Sequence, residues 1–295
     1  MNQSLFDMFE RLDGNKTEIH TRELAVKAPF GYPGGKSRSI QYILPHLPYH
    51  GKYVEVFGGS GIILLNRKPE PMEVYNDKYG GVVDFYKCIK DPVLMEKLIQ
   101  YLELTLKSRE MFLDSRDIFV TSKDTVERAA NWYYMITHSF SKLGRNFGRD
   151  LNKSYHAIDT HFPIFRQTHK RLKNVLIENL DWSICIKDFD SFDTVFYCDP
   201  PYMNTTTSGN QYEHNMTIKD HTNLCELIFQ SKGYFALSGY ENELYSTYPW
   251  DDIQLWDVNV SMTGMAFTET NNFADKKDQI TRGQRTERLY IKYAR

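Results

Sequence analysis

The chain has 295 residues, 41% apolar and 14% aromatic, with a net charge of −2. That suffices for one large domain, or a domain with an insertion, and no apolar run approaches the ~20 residues a bilayer crossing needs. The opening MNQSLFDMFERLDGNK has no signal-peptide core, and Cys88, Cys185, Cys198 and Cys225 show neither CxxC pairing nor metal-ligand spacing. They read as reduced cytoplasmic thiols, with no structural metal expected.

In chain order, residues 1–28 read as a loosely attached extension. PFGYPGGKSRSI follows, in which Pro33, Gly34 and Gly35 form a turn. Lys36 and Arg38 come next as candidate carboxylate partners, although an ordinary solvent turn has the same composition. The first strand, Tyr53 to Phe57, runs into YVEVFGGSGIILLN. Glycines after a strand let the backbone turn tightly and approach a ligand. Gly59 and Gly61 open a helix, but Leu64 stands where a dinucleotide fingerprint has its third glycine, which disfavours a nicotinamide enzyme. The second strand, Met72 to Tyr75, ends in VYNDKYGG and places Asp77 sixteen residues beyond Gly61. An acid there suits ribose hydroxyls, so the two adjacent strand ends together point to a nucleoside ligand.

A helix is predicted over Tyr79 to Ile89. Residues 92–173 then hold helical patterns (PVLMEKLIQYLELTLKS and VERAANWYYMITHSF) without a clear strand, and read as a mainly helical insertion. Between His138 and Asn174 lie Lys142, Arg145, Arg149, Lys153, Arg166, Lys170, Arg171 and Lys173 against only Asp150 and Asp159. A basic face on an otherwise acidic chain is a common footprint of a nucleic-acid groove, although a solvated helix surface would look the same.

Five more strands are predicted at Val175 to Glu178, Thr194 to Cys198, Tyr234 to Ser238, Ile253 to Val260 and Arg288 to Tyr293, with a helix over His221 to Gln230. Alternating strands and helices imply an α/β fold with a mostly parallel sheet, Rossmann-like in outline. The last two strands are joined by a polar loop without a crossover helix and should pair antiparallel, giving a seven-stranded sheet with an antiparallel last strand.

The most informative stretch is VFYCDPPYMN, residues 195–204. Proline gives no N–H to a sheet ladder, so the strand stops near Cys198 and Asp199, Pro200, Pro201 and Tyr202 are held stiffly past its carboxyl end. Open α/β sheets bind ligands in that place. No Ser-His-Asp pattern, catalytic acid pair or metal motif accompanies Asp199. A carboxylate and a proline carbonyl can instead both accept hydrogen bonds from one exocyclic amine, drawing its lone pair out of ring conjugation while Tyr202 stacks on the heterocycle. With a nucleoside-containing cofactor next door, the natural donor to such a nitrogen is S-adenosyl-L-methionine.

The ordered set GYPGGK (31–36), EVFGGSG (55–61), ND (76–77) and CDPPY (198–202) resembles the Dam-type DNA adenine-N6 methyltransferases, with the resemblance spanning residues 29–293. It implies a Rossmann-like catalytic body at 29–91 and 174–295, with residues 92–173 as a target-recognition insertion. It also implies S-adenosyl-L-methionine as cofactor, no metal, and double-stranded DNA as substrate, the adenine being rotated out of the duplex. Tyr32 and Lys36 match cofactor contacts, the lysine reaching toward the cofactor's carboxylate. Phe57, Gly59 and Gly61 match the cradle strand, Asp77 the ribose-binding acid, Asp181 the residue near the cofactor's adenine, and Asp199 to Tyr202 the catalytic turn.

The segment FSKLGRNFGR (140–149) resembles the family's recognition segment only at its aromatic, leucine and arginine positions, so GATC specificity is not carried over. Lys142, Arg145 and Arg149 are the expected DNA contacts, Arg145 at the one basic position that matches. A cytoplasmic monomer or weak dimer is expected, in a bacterial cell or a phage-infected host, with room for a cognate restriction endonuclease. The same chemistry on RNA adenine, DNA cytosine-N4 or a protein amide stays open, as does a DNA-binding regulator without turnover.

Overall fold

The computed structural model describes residues 26–139, 142–148, 158–202, 216–260 and 283–295. Arg149, most of the N-terminal extension and the polar loop before the last strand lie outside these residues. Among the described residues, no helix is long and apolar enough to cross a membrane.

Seven strands form one sheet in the order β3-β2-β1-β4-β5-β7-β6. Their bounds are β1 Lys52–Glu55, β2 Met72–Asn76, β3 Val175–Glu178, β4 Thr194–Cys198, β5 Tyr234–Tyr240, β6 Asp252–Val260 and β7 Gly283–Lys292. β1 to β5 are mutually parallel, and β7 runs antiparallel to both of its neighbours, β5 and β6. The expected antiparallel last pair is therefore present, with the final strand slotted inside the sheet.

A parallel sheet is covered on both faces, so successive side chains of one strand enter opposite cores. Tyr53, Tyr75, Val195, Tyr197 and Ala236 belong to one core, and Val54, Val74, Phe196, Cys198 and Phe235 to the other. The second core is closed by helices Trp182–Phe189 and Ile218–Gln230, through Cys185, Ile186, Leu224, Cys225 and Ile228.

We number the helices on this side in chain order: α1 Ile62–Asn66, α2 Gly80–Lys90, α3 Pro92–Glu103, α4 Arg109–Thr121, α5 Thr125–His138 and α6 Phe162–Leu172; all but α4 bury residues in the first core. α5 buries Trp132 and Tyr133 against Phe85 of α2, and Phe165 of α6 meets the same rings at 5.1–5.3 Å. α2 approaches α5 closely because Gly81 has no side chain: a Cβ there would lie 2.2 Å from the Trp132 ring. The helices of residues 92–172 thus share a core with the sheet. α4 is an exception, burying only Phe112 and Ser115.

The basic face is partly consumed by structure. Arg171 forks onto Glu73 with two contacts of 2.6 Å, and Arg166 pairs with Glu96.

Candidate active site

The sheet order reverses between β1 and β4, which pair in parallel with Glu55 opposite Tyr197. Chains leaving two adjacent strands in opposite directions open a crevice at that switch point. Both motif loops emerge there, GGSG after β1 and DPPY after β4.

The first loop turns on Gly59 (φ +48°) and Gly61 (φ +62°), left-handed conformations that favour glycine. A Cβ on Gly59 would also stand 3.0 Å from the Tyr32 ring. From below, the Tyr75 hydroxyl donates to Gly59 O at 2.6 Å and the Tyr86 hydroxyl to Ser60 O at 2.5 Å. From the β2 end, Asp77 accepts the Gly59 N–H on Oδ2 (2.7 Å) and the Tyr79 N–H on Oδ1 (2.8 Å). Asp181 caps its helix by accepting from Ser183 N and Oγ.

Asp199 meets Lys36 at 2.8 Å, the lysine side chain being 4% exposed and the aspartate 19%. Lys36 Nζ also donates to Gly34 O at 2.9 Å, inside the GYPGGK turn, and lies 4.9 Å from the centre of the Tyr202 ring. Tyr202 packs on Tyr240 at a tilt of 59°, with ring centres 4.6 Å apart. Burial works most strongly against the Lys36 ammonium, but Asp199, Tyr197 and Glu287 together outweigh it and hold the lysine above its ordinary range. Burial raises the Asp199 carboxyl, against the pull of Lys36. For this pair we take the ionised form of both, because each group's charge is the other's main compensation.

These residues line one cavity of about 260 Å³, whose wall includes Tyr32, Lys36, Phe57, Gly59, Asp77, Asp181, Asp199, Pro200 and Pro201. A left-handed glycine cradle, an acid at each of two neighbouring strand ends and an aromatic side wall fit a nucleoside-bearing cofactor such as S-adenosyl-L-methionine. Gly61 shapes the turn behind that wall, and Tyr202 stands past it, against Tyr240 and Arg285.

Comparison with known proteins gives the same reading. The chain matches the D12 class of N6 adenine-specific DNA methyltransferases over residues 32–262. It belongs to that family.

Among its relatives, the type II methyltransferase M.FokI of Planomicrobium okeanokoites is 24% identical over 304 aligned residues, covering 93% of this chain and 44% of that protein. The modification methylase StsI of Streptococcus sanguinis is 23% identical over 230, covering 72% of this chain and 34% of that protein. The chain thus spans less than half the length of these relatives.

Sequence reasoning overlooked one acid on the D12-class cavity wall. Glu55, 2% exposed, accepts from Leu64 N (2.7 Å) and the Tyr53 hydroxyl (3.1 Å), both on Oε2. Burial pushes its carboxyl up to about 8, against those two hydrogen bonds, so it stays largely protonated at neutral pH. A glutamate inside the apolar run YVEVF was the available signal. Lys36 was expected as a carboxylate partner, but the partner itself, Asp199 of the DPPY turn, was not foreseen.

Proposed function

We propose that the chain transfers a methyl group from S-adenosyl-L-methionine to N6 of an adenine rotated out of double-stranded DNA, leaving S-adenosyl-L-homocysteine. The observation that carries this reading is that the DPPY acceptors and the glycine cradle with its two acids line a single cavity at the sheet's switch point. When bound, the cofactor supplies a methyl group on a positively charged sulfur.

The chain's own residues do the rest. Asp77, fixed by two backbone N–H groups, keeps carboxylate lone pairs for ribose hydroxyls. Asp199 and the Pro200 carbonyl take the two hydrogens of N6 and turn its lone pair out of the ring. Lys36 holds Asp199 in place and keeps it charged. As the N–C bond forms, the proton leaving N6 is taken at the Asp199 carboxylate and passed to solvent. Tyr202 offers a ring against the extruded base, whose unstacking costs a few kcal/mol. Positioning and electrostatics supply the catalysis, without a covalent intermediate.

On this reading residues 29–91 and 174–295 form the catalytic body and 92–173 carry target recognition, with Lys142, Arg145 and Arg149 toward DNA. The relatives' names, a type II methyltransferase and a modification methylase, support a place beside a cognate restriction endonuclease. Expression in a methylation-free strain followed by genome-wide mapping tests the whole. N6-methyladenine at one recurrent short sequence is expected, and its absence from an expressing strain would reject the reading.

A further inference from the structure

A second cavity, of about 310 Å³, adjoins the first, and Tyr32, Pro33 and Tyr79 line both. Its other walls are α4, α5 and residues 142–145, and among the described residues that line it none is a carboxylate. Met135 and Ile136 of α5 give it an apolar floor, and Arg116, Lys142 and Arg145 give it three cations. Among the described residues none of these three has an ion-pair partner, whereas nearby Arg128, Arg166 and Arg171 each hold a carboxylate. Arg116 spends one donor on Gly144 O at 3.4 Å, and Lys142 spends one on Thr137 O at 2.9 Å.

The backbone is arranged to place those cations. Lys142 adopts φ +60°, the one non-glycine left-handed residue described, a strained conformation that persists only where the surroundings impose it. Ser139 Oγ accepts the Gly144 N–H at 2.8 Å, and Gly148 N bonds His138 O at 2.7 Å, fixing the loop on the end of α5. Neighbouring cations act on one another here. Burial, together with Lys107 and Lys142, pushes His138 down to about 4, and burial lowers Lys142 itself. Clustered cations over an apolar floor complement a phosphodiester with its sugar and base.

We infer that this cavity is a second nucleotide subsite, which takes one nucleotide flanking the target adenine, its phosphate on Arg116, Lys142 and Arg145 and its base on the Met135–Ile136 floor. The inference rests on duplex DNA being the substrate. It adds Arg116, on a helix that the sequence reading passed over, to the DNA contacts.

The test is duplex binding by fluorescence anisotropy across a salt series, with cofactor affinity and methyl transfer measured separately. Arg116→Ala is expected to weaken binding about tenfold and to lower the salt slope by about one, with Arg116→Lys restoring most of the slope. Val120, on the rim and 75% exposed, tolerates a charge without disturbing the core. Val120→Glu should weaken binding well beyond Val93→Glu, an equal change at an exposed α3 position lining neither cavity. Cofactor affinity should stay within about twofold throughout, on the scale where 1.4 kcal/mol is tenfold.

Abasic nucleotides placed in turn beside the target should reveal one position that costs the wild type affinity but costs Val120→Glu little. Wild-type affinity and slope in Arg116→Ala, losses in Val120→Glu no larger than in Val93→Glu, or no coupled abasic position would each overturn the inference. A wild type that binds in the expected way yet transfers no methyl would reject the proposed function and leave the subsite supported.

Discussion

Asp199 is half of a buried ion pair, which changes what its removal does. A residue in a loop past a strand end is expected to carry little packing. Here Asp199→Ala would leave the Lys36 ammonium, 4% exposed, without its carboxylate. Breaking a buried pair from one side costs about 3–5 kcal/mol, so Asp199→Ala should lose both turnover and stability. Thermal unfolding beside single-turnover kinetics checks this: Lys36→Met combined with Asp199→Asn should recover most of the stability and none of the rate. A lone Asp199→Ala as stable as wild type would mean that the pair is not formed.

Glu55 sets a pH dependence of its own. Its folded carboxyl titrates near 8, above the roughly 4.3 of an unfolded glutamate. The folded state therefore holds the proton more tightly, and the stability this gives is complete below the unfolded value and lost as pH rises through about 8. Glu55→Gln, which keeps an acceptor for Leu64 N, should flatten the fall in unfolding free energy between pH 5 and pH 9, read by denaturant titration. An unchanged pH profile would place the ionisation elsewhere.

At the scale of elements, the tightest joint lies between α2 and α5. Gly81→Ala would drive a methyl group into the Trp132 ring, 2.2 Å from the new carbon. Overpacking of this kind costs typically 1–3 kcal/mol, and the measurable sign is a lowered unfolding midpoint together with changed tryptophan emission. The proposed DNA contacts Lys142 and Arg145 follow the exit of α5. With Arg145 on a phosphate, Arg145→Ala should weaken the cognate and a scrambled duplex alike and lower the salt slope by about one. A loss of about 1–3 kcal/mol confined to the cognate duplex would make Arg145 a base reader instead.

Elements were legible where burial writes a pattern. Strands covered on both faces read as apolar runs, as β4 does over its expected bounds; the edge strand β3 also keeps its expected bounds, through the apolar run VLIE. α5 announced itself through the aromatic run at Trp132, Tyr133 and Tyr134. α4 did not, because only Phe112 and Ser115 are buried, while Met111 and Phe119 are half-buried and most of its other side chains are exposed. Nor did β7's place between β5 and β6, since a polar connection fixes pairing sense but not sheet order. The motif residues at the strand ends were legible because their backbone demands are local. Lys36 against Asp199, and Arg116 beside Lys142, were not, being juxtapositions that only the assembled sheet and helices create.

At the scale of the molecule, the site follows from the order of the strands. β1 and β4 are neighbours whose chains depart in opposite directions, so the two loops must face each other across one crevice. The helices that cover one sheet face carry the cationic second cavity to the edge of that crevice. The glycine loop and the DPPY turn thus share one cavity, and the basic cavity adjoins it through Tyr32, Pro33 and Tyr79. The measurement that tests this account most directly is transfer of label from S-[methyl-³H]adenosyl-L-methionine into duplex DNA, with the product nucleosides separated. The account expects the label in N6-methyladenine, made by the wild type and not by Asp199→Asn. Label in another nucleoside, or equal transfer by both proteins, would contradict it.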